Sequence, residues 1–142
     1  LEQLLSLSKQ VPGHLRYNYE LSFSNYFLYP LLQYFAGNED LLRIQTNYIQ
    51  KHLKLTQGMR LWYCTRLLTG EISRYTFMHQ PNQIHIEHDY FLYNGIKNDI
   101  KGRKSSALKS YQALKDLPQY KKYINATITR FVNNRIDTLN KK

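Results

Sequence analysis

A chain of 142 residues has the length of one domain, and 42% hydrophobic with 14% aromatic side chains supplies a core without metal or disulfide support and excludes a disordered tract. A single cysteine, Cys64, excludes a disulfide framework and zinc sites built on cysteine pairs, and fits a reducing, cytoplasmic setting. Twenty Lys and Arg against ten Asp and Glu give a net charge of +10, which points toward a polyanionic partner.

Leu1 to Gln10 carries apolar residues at helical spacing and ends at Val11-Pro12-Gly13, which predicts a short amphipathic helix. From Tyr19 to Phe35 the apolar positions are dense, as in a buried helix that Pro30 kinks or divides and Ala36-Gly37 ends. Asn38 reads as an N-cap, followed by Glu39 and Asp40 where the helix dipole favours negative charge. Apolar residues then recur from Leu41 to Leu67 about every 3.5 residues, and Gly70 stands at C′. That pattern predicts a long central helix, with a break allowed at Gly58. Its Trp62-Tyr63 stripe reads as core, and Cys64 as a buried, inert thiol.

Between Arg74 and Ile100 the sequence leans toward β structure. Ile84, Ile86, Tyr90 and Leu92 alternate on one face, and Asn94-Gly95 is a turn signal, so a small β-hairpin is compatible with this stretch. Lys97 to Lys104 is a basic connector, after which Ser105 or Ser106 caps a helix from Ala107 to Leu117 that Pro118 ends. A last helix, Gln119 to Leu139, shows an apolar stripe at Tyr120, Tyr123, Ile124, Ile128, Phe131, Val132 and Ile136. The expected fold is mainly α, a helical bundle built on the long central helix.

The charge is unevenly placed. Residues 1–96 hold eight bases and seven acids, a neutral, Tyr-rich body; residues 97–142 hold twelve bases and three acids and form a basic segment packed on it within a single domain. Lys101, Arg103, Lys104, Lys121, Lys122, Arg130 and Arg135 are the candidate phosphate contacts of a nucleic acid, DNA first among them. Asn125, Arg130, Asn133 and Asn134 are residue types that reach base edges, and the two helices around Pro118 have a helix-turn-helix outline without the usual turn glycine.

No nucleotide-binding glycine loop, nucleophile elbow or helical His-Glu metal motif is present, so no catalytic residue and no cofactor is expected. A metal- or acid/base-dependent enzyme would have to use His85, Glu87 and His88, which with Asp89 read more simply as the polar edge of a hairpin. The other class of function is a helical interaction module, homodimerising or docking a partner through the aromatic face of Tyr17 to Tyr34. No secretory signal and no membrane-length apolar run stand in the sequence, so no membrane partner is expected. A start at Leu1 fits a fragment of a longer protein.

The order of elements resembles the N-terminal part of RteC-type proteins, regulators carried by conjugative transposons of Bacteroides. Leu21 to Phe35 resembles their Phe/Tyr-rich first helix. Tyr48 to Leu53, running on to Trp62-Tyr63-Cys64-Thr65-Arg66 and Gly70, is similar to their long helix and its end. Ile86 to Gly95 is similar to their acidic-Tyr-Phe segment, and Tyr120 to Asp137 to their closing helix. The stretch Ile72 to Gln83 is an addition, and the family's C-terminal regulatory domain has no counterpart in these residues. The resemblance implies a bacterial, non-enzymatic, DNA-associated transcription regulator of a mobile element.

Overall fold

The structure, a computed structural model, describes residues 23–52, 59–81, 85–118, 120, 124 and 126–141. The chain is mainly α-helical, with no strand among the described residues. It divides into two compact units that part between Trp62 and Tyr63. The charge step after Ile96, in contrast, falls inside one helix. The amphipathic helix expected over Leu1 to Gln10 and the break allowed at Gly58 lie outside the described residues.

In the first unit a π-helical turn, Ser24–Leu28, leads into α1, Tyr29–Phe35, with Pro30 in the first turn of α1. Proline lacks an N–H and its ring crowds the carbonyl four residues back, so the wider turn before it relieves the clash without ending the helical path. Phe23, Tyr26, Phe27 and Leu31 are buried. After Gly37 the chain enters α2, Asp40–His52, which packs on α1 and buries Leu42, Thr46, Ile49 and the side chain of Gln45. Helix α3, Met59–Leu68, spans the boundary between the units. It buries Leu61, Cys64, Thr65, Leu67 and Leu68, while Trp62 and Tyr63 are half-buried. Its end is the one the sequence predicts: Gly70 has φ +81°, its N–H donates to Leu67 O at 3.1 Å, and Glu71 N–H donates to Arg66 O at 2.9 Å.

The second unit corrects the hairpin reading. Arg74–Met78 forms a short helix, α4, and Ile86–Ile100 forms α5, so the segment expected to alternate is helical from Ile86 onward. Glu87 and Asp89 stand in the first turn of α5, where the dipole favours them, and Leu92, Tyr93 and Ile96 are buried on one side. Asn94-Gly95 makes no turn. Gly95 lies in mid-helix against the next helix, α6, Lys104–Asp116: a Cβ there would come within 2.8 Å of the Tyr111 ring. The glycine lets the helices approach closely, and across the same contact Asn94 Nδ2 donates to Ser110 Oγ at 2.7 Å.

Helix α6 begins earlier than the serine-cap reading has it. Arg103 occupies the N-cap with no side-chain cap, and Ser105 and Ser106 lie in the first turn. Its far end is as expected, since Pro118 forces Leu117 into extended backbone at ψ 141°. The last described helix, α7, Ala126–Asn140, packs on α6. Tyr120, Ile124, Ile128, Phe131 and Val132 are buried, as the predicted stripe requires.

Candidate nucleic-acid interface

Three residues, Lys101-Gly102-Arg103, connect α5 to α6. Gly102 makes so short a link feasible. At φ +75° it occupies the left-handed region, its N–H donates to Asp99 O at 3.1 Å, and Arg103 N–H donates to Asn98 O at 2.8 Å. The turn gathers Lys97, Lys101, Arg103 and Lys104, the last three exposed. Among the described residues no carboxylate lies within ion-pair reach of any of the four. Partial burial pushes the Lys97 ammonium below its ordinary pKa, and the positive charges of Lys101 and Arg103 push it further the same way. Lys101 and Arg103 are thus close enough to Lys97 to repel it. Lys101 Nζ also lies beside the end of α3, 3.4 Å from where a Cβ on Gly70 would stand, near that helix's negative pole. At the start of α6 the uncapped N–H groups add a positive pole to the same turn, with the hydroxyls of Ser105 and Ser106 exposed beside them.

The other candidate bases are placed differently. Lys121 and Lys122 lie outside the described residues, as does Asn125. Arg130 and Asn134 are exposed one helical turn apart on α7, with Asn133 half-buried beside them. Arg135 turns inward. Its Nε donates to Asp99 Oδ2 at 2.8 Å and its Nη2 to Asp99 Oδ1 at 2.9 Å, and the two side chains are 13% and 2% exposed. Tyr111 Oη donates to the same Asp99 Oδ2 at 2.9 Å. Burial and the adjacent carboxylate push the Tyr111 hydroxyl far above the usual phenol range, and the hydrogen bonds to Asp99 raise the Arg135 pKa. Asp99, Tyr111 and Arg135 therefore join α5, α6 and α7 as a structural clamp that sequence reading missed. The residues are 12, 24 and 36 positions apart in pairs, so no local pattern announces them.

The same helix that removes the hairpin splits the His/Glu group, keeping His85 and His88 together and turning Glu87 away. His85 is the N-cap of α5 in left-handed backbone at φ 57°, and its ring meets that of His88 edge-on at 6.2 Å. His88 and Asp89 are buried while Glu87 is exposed, about 100° around the helix from His88. No three His, Cys, Asp or Glu among the described residues are grouped to hold a metal ion. Of the aromatic face of Tyr17 to Tyr34, Tyr17 and Tyr19 lie outside the described residues and Tyr26 and Phe27 are buried; Tyr29 and Leu32 stand 50% and 52% exposed. No described helix is long and apolar enough to cross a membrane. No protein-family model, curated protein or solved structure matches this chain.

Proposed function

We propose that this chain is a non-catalytic, DNA-associated regulatory protein that contacts the phosphate backbone through its basic C-terminal third. The observation that carries this reading is the crowding of Lys97, Lys101, Arg103 and Lys104 at one three-residue turn with no described carboxylate to neutralise them. Holding like charges together is unfavourable for the free protein, and a polyanion laid across the turn reverses the sign of that interaction. Arg130 on α7 belongs to the same set of exposed cations. Arg135 does not, because Asp99 already holds its guanidinium.

The test is fluorescence anisotropy with labelled DNA across about 50 to 300 mM salt. Log affinity should fall linearly with log salt, and Lys101→Gln with Lys104→Gln should flatten the slope by about two units on every sequence tried. An absence of binding at the lowest salt would refute the proposal. The exposed pair Tyr29 and Leu32, three residues apart on α1, would then favour the second reading, a helical module that binds a partner protein or a second copy.

A further inference from the structure

In the described part of the unit formed by residues 63–142, one large hydrophobic side chain stands out into solvent: Tyr75, 72% exposed. Its neighbourhood is built to hold it there. Ser73 caps α4, its Oγ accepting from Thr76 N–H at 3.2 Å, and Phe77 is fully buried with its ring 6.1 Å from that of Tyr90 on α5. The His79 ring stacks on Tyr75 with centroids 4.0 Å apart and planes 24° from parallel. His79 Nδ1 lies 2.8 Å from the Tyr75 carbonyl oxygen, which can only accept, so Nδ1 carries the proton and the imidazole is fixed in place. Arg74, the residue before, is exposed and sits over the Tyr90 ring at 4.8 Å. An aromatic ring backed by a fixed imidazole therefore faces water.

The chain bounds how far this platform can lie from the basic turn. Gly70, beside the Lys101 ammonium, precedes Tyr75 by five residues, which spans at most about 18 Å. Flat rings next to a track of cations are what an unpaired strand uses: its phosphates follow the charge and its bases stack on the rings. A base within a duplex is already stacked on its neighbours and offers no face to Tyr75. We infer that Tyr75, backed by His79, is a stacking platform for an unpaired nucleobase, so that the preferred ligand of the basic turn is single-stranded nucleic acid. This rests on the phosphate-binding reading above and narrows it.

The full chain is titrated into a labelled oligothymidylate and into a labelled duplex of the same length, at a fixed salt concentration of about 0.1 M. The wild-type chain should bind the single strand more tightly. Tyr75→Ala should weaken single-strand binding by about tenfold, change duplex binding less than about twofold, and leave the salt slope as it was. Tyr75→Phe should restore the single-strand affinity, because the ring and not the hydroxyl carries the contact. With its ring in solvent, Tyr75 can be truncated without opening the core. Equal losses on both ligands, or none on the single strand, would overturn the platform while the phosphate reading stands. No binding of either ligand by the wild-type chain would overturn both and leave Tyr75 as a contact for a protein.

Discussion

Two places at the C-terminal end of α5, two to five residues apart, treat positive charge in opposite ways. On the inner side Asp99 receives both the Arg135 fork and the Tyr111 hydroxyl, so a cation is buried and matched. At the end of the helix Lys97 and Lys101 join Arg103 and Lys104 with no described carboxylate to match them, and partial burial, with the charges of Lys101 and Arg103, lowers the Lys97 pKa. The bases are equivalent by count and differ in role. A net charge indicates that a polyanion could bind; the partner of each base decides whether that base is available to bind it.

The comparison is broken most severely at the matched site. Asp99→Ala leaves a part-buried guanidinium and a buried hydroxyl without their acceptor, and should destabilise the protein by about 3 kcal/mol in urea unfolding. Next comes the close approach that positions Tyr111. An alanine in mid-helix normally gains about 1 kcal/mol over glycine. Gly95→Ala should instead lose about 1–3 kcal/mol, because its Cβ would press on a ring that Asp99 keeps from moving; a stabilised variant would show that the contact has room to give. The smallest effect belongs to the unmatched site. Since the folded pKa of Lys97 lies below its ordinary value of 10.5, the unfolded chain binds more protons between those two values, and stability rises with pH across that window. Lys97→Gln should remove that rise, raise neutral-pH stability by no more than about 0.5 kcal/mol, and weaken DNA binding.

Much of the helix punctuation was legible in the residues. Gly70 ends α3 where the spacing places it, Pro118 stops α6, and Tyr120, Ile124, Ile128, Phe131 and Val132 of the last stripe are buried. The β-hairpin was misread for a physical reason. Ile86 and Tyr90, four residues apart, satisfy helical spacing as well as the alternation expected of a strand, and β-branched and aromatic side chains favour strands only weakly when packing disagrees. Asn94-Gly95 signals a turn only if nothing needs the space, and here Tyr111 does. At the candidate interface, Lys101, Arg103 and Lys104 were identifiable from local charge density. The burial of Arg135 was not, because a base reads the same in sequence whether water or Asp99 surrounds it. Tyr75 was missed among thirteen tyrosines, most of them plausible core, since exposure is a property of the packed chain.

The three-residue link closed by Gly102 also bears on the order in which this unit assembles. Closing so short a loop costs little chain entropy, and the pairing of α5 with α6 is sealed by groups only 12 to 16 positions apart, as in Tyr111 with Asp99 and Asn94 with Ser110. The Arg135 fork must bring together residues 36 positions apart. Local pairings of this kind form before distant ones. The helical pair carrying the crowded cations should therefore exist as a folding nucleus before α7 docks, with its electropositive turn in place from the first stages of collapse.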